Sequence, residues 1–428
     1  MQYFDRAELL TRQEIEKVQL VRLRSTIEKA TASPFYAARL AAFSGIKSLE
    51  HLRDLPFTTK EDMRAHYPYG MAAVSKDKLV RLHASSGTTG EPTVIFHTRN
   101  DLNSWADLMA RSMFITGMRP GQVFQNITGY GLFTGGLGIH YGAERLGCLT
   151  IPAGTGNTRR QLKLIRDFSV EAVHIIPSYA LYLADAIKAD HQSPGDLGLK
   201  IALVGAEPHA EETRRRIEEL FGLKAFNSYG LSEMNGPGVG MECEQRQGAH
   251  VWEDAYIVEI VNPETLEPVQ EGEIGEMVMT TLCREGMPLI RYRTKDLTSF
   301  VSGSCACGRQ HRRIARLHGR TDDMLIIKGV NFYPMQIERA LMSLPEVSDN
   351  YLIILEQENH IDQIKVQVEI KPNAFVEDMR MLRNLQSRIA AMLRDEILIT
   401  PRVELVEHNS LPKTEGKATR VIDHRPAS

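Results

Sequence analysis

Ser85-Ser86-Gly87-Thr88-Thr89-Gly90-Glu91-Pro92 follows directly on an apolar run, Leu79-Val80-Arg81-Leu82-His83, that reads as a buried strand. Glycines let backbone amides converge on an anion, and four hydroxyl side chains add further donors. The segment is not a Walker-type phosphate loop, because the Gly-Lys-Ser/Thr ending is missing. Taken alone it reads either as a phosphate cradle or as a flexible Ser/Gly/Thr turn. The rest of the chain decides between them.

Outward from this loop, short apolar runs alternate with amphipathic stretches. Ala172-Val173-His174-Ile175-Ile176 and Ile201-Ala202-Leu203-Val204 read as buried strands, and residues 162–168, 180–188 and 211–220 as the helices between them. That alternation predicts an α/β body with a largely parallel sheet. Between Tyr256 and Phe300 the texture turns β-rich, with Asn262-Pro263 and Glu271-Gly272 as turn signals for a smaller antiparallel region. Upstream, Ile15, Val18, Leu20, Leu23 and Ile27 carry helical spacing in residues 8–43, for packing on the body or on a second subunit. Beyond Gly319 strand-like pieces (353–355, 364–368) and helix-like pieces (334–342, 378–393) alternate again. We therefore expect a body over 1–319, with a β-rich region near 250–318, and a small mobile α+β domain over 320–428.

At 428 residues the chain exceeds one ordinary core, in keeping with two domains. A net charge of -3 without a clustered Lys/Arg excess argues against nucleic acid as a partner. No apolar run reaches the roughly 20 residues that span a bilayer, and the first residues lack a signal-peptide pattern. The expectation is a cytoplasmic protein with no membrane partner, whose five cysteines are reduced or metal-bound rather than a disulfide scaffold.

Further motifs follow the Ser/Gly/Thr loop in a fixed order. They are Gly205-Ala206-Glu207-Pro208, Tyr229-Gly230-Leu231-Ser232-Glu233, Tyr292-Arg293-Thr294-Lys295-Asp296, Gly319-Arg320-Thr321-Asp322-Asp323 and Leu411-Pro412-Lys413-Thr414-Glu415-Gly416-Lys417. In this order and spacing the set resembles the adenylate-forming superfamily. Gly129-Tyr130-Gly131-Leu132-Phe133-Thr134-Gly135-Gly136-Leu137-Gly138, Pro288-Leu289-Ile290-Arg291-Tyr292-Arg293 and Asp323-Met324-Leu325-Ile326-Ile327-Lys328-Gly329-Val330-Asn331 narrow the resemblance to phenylacetate–CoA ligases. Two positions depart from that pattern: many relatives carry Lys where Glu91 stands and Gly where Lys295 stands.

The resemblance implies an ATP-dependent ligase that converts an aryl carboxylic acid to its acyl adenylate and passes the acyl group to coenzyme A. On it, Ser85, Ser86, Gly87, Thr88, Thr89 and Gly90 hold phosphates. Gly205, Ala206, Glu207 and Pro208 flank the adenine, as do Tyr229, Gly230, Leu231 and Ser232. Asp296 takes the ribose hydroxyls and Arg320 lies beside the nucleotide. Glu233 holds Mg²⁺, and Lys417 bridges the carboxylate and the α-phosphate. Tyr130, Phe133, Gly135 and Gly136 line the acyl pocket. Asp322 is the hinge about which the small domain brings Lys328, Gly329, Val330 and Asn331 to the site for the thiol step. Each role has a plainer rival: a solvated surface lysine for Lys417, a helix-start carboxylate for Glu233, turn caps for Asp296 and Asp322, core aromatics for Tyr130 and Phe133.

Cys305-Ala306-Cys307-Gly308 sits in a Gly/Ser/Arg-rich turn of the kind that presents two thiolates to one ion. With Cys243 and His250 upstream it would complete a closed Cys₃His zinc set, with His311 and His318 as alternative fourth ligands. Two other functional readings remain open at this stage. One is an adenylating enzyme with another acid or acceptor, as in the deazaflavin-coenzyme type; the other is a nucleotide-binding protein that has lost catalysis. Intact Lys417, Glu233 and Asp296 speak against the latter. A homodimer is compatible with the sequence.

Overall fold

A computed structural model describes residues 3–41, 43, 45–85, 92–207, 209–327, 330–358, 361–374, 379–412 and 418–425. The predicted strand–helix alternation builds one sheet of nine strands. Its parallel part runs, in spatial order, Leu149–Ile151, Val123–Asn126, Ala172–Ile175, Ile201–Val204 and Lys224–Leu231. Helices Thr158–Asp167, Pro177–Ala189 and Glu211–Phe221 connect these strands and bury Leu162, Ile165, Leu183, Ile187 and Ile217 against the sheet. After Lys224–Leu231 the direction reverses, and Gly236–Glu242, Ala249–Val251, Arg313–Ile314 and Phe300–Val301 continue the sheet antiparallel. The predicted β-rich region is a second, antiparallel sheet of Tyr256–Val261, Gly275–Thr281, Tyr292–Thr298 and Gly319–Arg320.

The strand expected at 79–83 differs from this pattern. It forms at Arg81–Ser85, because Lys76–Lys78 make a 3₁₀ turn first, and it pairs only with Thr93–His97. With one neighbour and no place in the large sheet it is not fully buried; Leu82 is 40% exposed.

Helix Arg99–Ile115 begins in a capping box in which Thr98 and Asp101 exchange hydrogen bonds. Asp101 also accepts from the Glu285 and Gly286 amides, pinning the second sheet to this helix end. Helix Thr134–Leu146 lies unusually close beside it. A Cβ on Gly138 would meet the Trp105 ring at 2.3 Å and one on Gly142 would meet Met109 at 2.4 Å, so only glycine permits this packing.

Helix Arg12–Ala30 resolves the two possibilities left by the N-terminal pattern. Its buried face, Ile15, Gln19, Leu23, Thr26 and Ala30, packs on the same chain, while Val18, Leu20 and Ile27 sit half-buried beside it. Arg12 pairs with Glu253, Gln19 donates to the Tyr256 carbonyl and Arg22 pairs with Asp254.

Beyond the Gly319–Asp323 segment a separate core forms. Helices Pro334–Met342 and Met379–Ile397 cover a four-stranded sheet of Arg402–Val406, Ile361–Ile370, Val347–Glu358 and Val421–Asp423. Its contacts with the body are polar: Arg216 pairs with Asp349, Glu338 reaches Ala210 and Thr213, and the Ala418 amide donates to Glu207. Between them lies a cleft of about 450 Å³.

Candidate active site

The motifs converge where the large sheet reverses direction. Ser85 ends its strand opposite Thr93 and its hydroxyl is buried. Ser86, Gly87, Thr88, Thr89 and Gly90, with Glu91, lie outside the described residues, as do Pro208, Lys328, Gly329 and Lys417.

Gly205 leaves the strand Ile201–Val204 against Ser228, whose Oγ would lie 2.4 Å from an added Cβ. Ala206 then takes a left-handed conformation (φ 69°). Glu207 accepts from the Ser178 amide at 2.7 Å and from the Ala418 amide at 3.3 Å. Burial pushes its carboxyl up. Glu207 thus joins helix Pro177–Ala189 of the body to Ala418 of the small domain.

Tyr229, Gly230 and Leu231 end the next strand, in a bulge where a Cβ on Gly230 would meet the Gly236 carbonyl at 2.1 Å. That close approach fixes the turn carrying Ser232 and Glu233. Ser232 Oγ lies 3.2 Å from Thr134 Oγ1, at the start of the glycine-rich helix. Glu233 is buried; its backbone carbonyl accepts from Arg284, and its carboxylate meets the Tyr292 hydroxyl. Burial and then the Glu233 charge push the Tyr292 phenol well above its ordinary range.

Asp296 sits beside this pair. One of its oxygens accepts from the Tyr229 hydroxyl at 2.6 Å, the other from Arg320 Nη1 at 2.8 Å. Burial raises its carboxyl, opposed by the Arg320 guanidinium. Arg320 also forks onto Asp322 at 2.9 and 3.0 Å, so one side chain joins the buried Asp296 to the exposed Asp322. Lys295 has a φ of 67°, a left-handed conformation that glycine adopts most readily.

The acyl-pocket candidates separate. Tyr130 is half-buried, its hydroxyl 3.0 Å from Asn126 Nδ2 and 3.3 Å from His140 Nδ1. Gly135 has open space where a Cβ would stand. Gly136 is instead taken up by packing: a Cβ there would meet the Gly129 carbonyl at 2.3 Å, and its own carbonyl accepts from Asn126. Phe133 is 54% exposed, so it is not the core aromatic its base rate implied. Asn126, His140 and His174, the last bonded to Thr128 at 3.2 Å, escaped the sequence reading. For Asn126 and His174 the signal was a polar residue near the end of a parallel strand, where ligands gather in open α/β sheets, whereas His140 lies within helix Thr134–Leu146 and carried no such signal. Val330 and Asn331 begin a short strand paired with Leu325–Ile327.

Cys243, His250, Cys305 and Cys307 come together although four strands, Tyr256–Val261, Gly275–Thr281, Tyr292–Thr298 and Phe300–Val301, lie between His250 and Cys305. Their ligating atoms all lie within 4.8 Å of one another, and all four residues are buried. Cys243 Sγ to Cys305 Sγ is 3.6 Å and Cys307 Sγ to His250 Nε2 is 3.3 Å. Tetrahedral zinc with Zn–S of about 2.3 Å requires ligand separations of roughly 3.3–3.8 Å. His250 Nδ1 lies 2.9 Å from the His311 carbonyl, which directs Nε2 inward. Hydrogen bonding with Cys243 and, against burial, with His250 holds Cys307 in the thiolate range. His311 is engaged elsewhere, with the Glu253 amide and the Ala7 carbonyl, so of the alternatives left open His250 fills the fourth place.

Comparison with known proteins agrees with this geometry. Residues 18–283 match the family profile "AMP-binding enzyme" and residues 329–425 the "AMP-binding enzyme C-terminal domain". The fold and site thus define an AMP-forming, adenylate-forming enzyme. The phenylacetate-coenzyme A ligase of Thermus thermophilus is 44% identical over 99% of this chain and 100% of its own length. That of Escherichia coli is 41% identical over 96% and 95%. The chain belongs to the phenylacetate–CoA ligase family, and is an ATP-dependent acid–CoA ligase. Among solved structures, 2-hydroxyisobutyryl-CoA ligase in the postadenylation state with 2-HIB-AMP superposes with a TM-score of 0.92 at 30% identity, covering 98% of this chain and 92% of that one. The same ligase with 2-HIB-AMP and CoA in the thioesterification state gives 0.72 at 30% identity, covering 98% and 91%. Sequence is matched in the two comparisons, so the present arrangement of body and small domain is that of the postadenylation form.

Proposed function

We propose that this ligase activates an arylacetic acid of the phenylacetate type. Support comes from near-full-length similarity to ligases of that name and from the open space where a Cβ would stand at Gly135. A carboxylate is a poor electrophile until its oxygen carries a leaving group. Its attack on the α-phosphate of ATP forms the acyl adenylate and releases pyrophosphate; the CoA thiol then takes the acyl group and releases AMP. The barrier to the first step is charge crowding, so positioned donors supply most of the catalysis.

In this reading Ser85–Gly90 hold the phosphates, Asp296 accepts from the ribose hydroxyls and Lys417 bridges the reacting carboxylate and phosphate. Glu233 is a buried carboxylate whose oxygens suit a hard cation, and Mg²⁺ held there would offset phosphate charge. The same reading divides the chain at 319/320. The small domain turns about Asp322 and exchanges Lys417 for the Lys328–Asn331 turn between half-reactions. Cys243, His250, Cys305 and Cys307 hold structural zinc, a closed set with no open position. Among the described residues no helix is long and apolar enough to cross a membrane. Unpaired cysteines fit a reducing, cytoplasmic setting. A homodimer through helix Arg12–Ala30 would have to use its outer, charged face, since its inner face is covered by the chain itself.

A panel of acids with ATP and CoA, read by pyrophosphate release and by thioester formation, tests the substrate. Phenylacetate should give the highest kcat/KM of a set including benzoate and 2-hydroxyisobutyrate. Preference for either of the others, or release of an AMP conjugate without thioester, refutes the assignment.

A further inference from the structure

Helix Glu211–Phe221 starts without a side-chain cap of its own. Its N-cap is Ala210, which has no oxygen to offer the free amides of the first turn. Most helices of the body are better served: Thr11, Thr59 and Thr98 each close a capping box. An acceptor does reach this helix start from the other domain, serving the N-cap amide and a first-turn hydroxyl rather than the first-turn amides. Glu338, on helix Pro334–Met342, places Oε1 3.0 Å from the Ala210 amide and 3.0 Å from the Thr213 hydroxyl. In an ordinary capping box a Glu three residues into the helix reaches back to the N-cap amide; here a carboxylate 128 positions away takes that place.

The remaining oxygen of Glu338 is held by its own domain, accepting from the Tyr351 hydroxyl at 3.0 Å. Glu338 and Thr213 are buried, so water does not compete freely for these bonds. A negative charge at a helix N-terminus gains further from the helix dipole. The whole arrangement exists only while the small domain sits as it does here, the postadenylation arrangement. In any pose that separates Pro334–Met342 from Glu211–Phe221, the Ala210 amide loses its acceptor and a carboxylate loses two donors.

We propose that Glu338 is a positioning residue that caps helix Glu211–Phe221 across the domain boundary and thereby holds the small domain in the pose that serves adenylation. This rests on the proposed domain alternation and adds the group that sets its balance. Glu338 touches no substrate. It biases which half-reaction the enzyme is poised for, because a cap made in one pose and absent in the other shifts the population between them.

The two half-reactions separate the effect from simple damage. Glu338→Ala should slow adenylation by about tenfold or more, since each hydrogen bond to a charged group is worth roughly that factor. Thioester formation from presynthesised acyl adenylate should stay unchanged or rise. Glu338→Gln, which keeps an acceptor oxygen, should recover most of the adenylation rate. Thr213→Val removes a donor from the body side without touching the small domain's core. It should reproduce the split at about threefold, and its effect should vanish in the Glu338→Ala background. If Glu338→Ala fails to fold, the Thr213→Val split carries the decision. Equal losses in both half-reactions, or additive effects of the two variants, overturn the proposal. Asp322→Pro serves as the reference. If it impairs thioester formation selectively while Glu338→Ala and Thr213→Val show no split, the cap fails and the alternation stands. If none of the three shows a split, both fail.

Discussion

Asp296 shows how much one buried carboxylate can organise. Tyr229 and Arg320 each donate to one of its two oxygens, so in the proposed role ribose hydroxyls would share it with those donors, and Arg320 links it on to Asp322. The motif Tyr292–Asp296 announced this residue; its partners did not follow from spacing, since they come from positions 229 and 320. In the proposed mechanism adenylation rests on Lys417. Lys417→Ala should lower the adenylation rate by about 10²–10³-fold, the usual loss for one preorganised transition-state donor. Thioester formation from presynthesised acyl adenylate and ATP affinity should change little. If both halves fall together, Lys417 is not specific to adenylation. A pH prediction belongs to His174 and His209. Burial pushes the first down to about 4 and the second, helped by Arg316, to about 3. The unfolded chain binds these protons near the ordinary histidine value of about 6.5, so it holds more protons than the fold between the two values. Their contribution is full above about pH 6.5 and is lost as pH falls toward 4 and below. Denaturant titrations should show stability falling across that window, and His174→Gln should flatten the decline.

Among elements, the parallel strands, the body helices and helix Pro334–Met342 were legible because each has an apolar period its burial then satisfies. Periodicity misplaced the strand at Arg81–Ser85, since an apolar run carries no information on how many neighbours a strand will have. Glycine-rich helix Thr134–Leu146 is a further case. Gly138 read as a family marker, whereas its physical work, shared with Gly142, is to let two helices approach, and Gly136 likewise allows a close approach to Gly129. The cluster of Cys243, His250, Cys305 and Cys307, the proposed zinc site, is assembled from three separate pieces of the second half of the body. Protein purified without added metal should contain one zinc per chain. The Cys305→Ser, Cys307→Ser double variant should lose it and drop Tm by roughly 5 °C or more, about 2 kcal/mol for a large domain. The loss should reach the N-terminal segment, because Arg309 pairs with the buried Glu8 and His311 with the Ala7 carbonyl beside the cluster. Increased proteolysis before Arg12 would report it; unchanged zinc content in the double variant removes these ligands.

For the whole molecule, the division of labour between a large body and a small domain makes the boundary a working part. Asp322→Pro fixes φ at a residue about which rotation is proposed. It should reduce thioester formation about tenfold more than adenylation, measured as separate half-reactions. Asp322→Asn, which loses the pairing with Arg320 but keeps backbone freedom, should show no such bias; equal losses in Asp322→Pro refute the hinge. The sequence by itself determined the α/β body, the antiparallel region, the separate C-terminal core and the ordered motifs of an adenylate-forming ligase. These depend on local apolar period and on residue types at short spacing, which a linear reading contains. Only the tertiary structure decided that His250 rather than His311 closes the thiolate cluster, that Glu207 reaches Ala418, that Asn126 and His140 support Tyr130, and that Glu338 caps a helix of the other domain. Each of those depends on which distant backbone atom a polar group meets, and buried donors and acceptors choose partners by geometry in the finished fold.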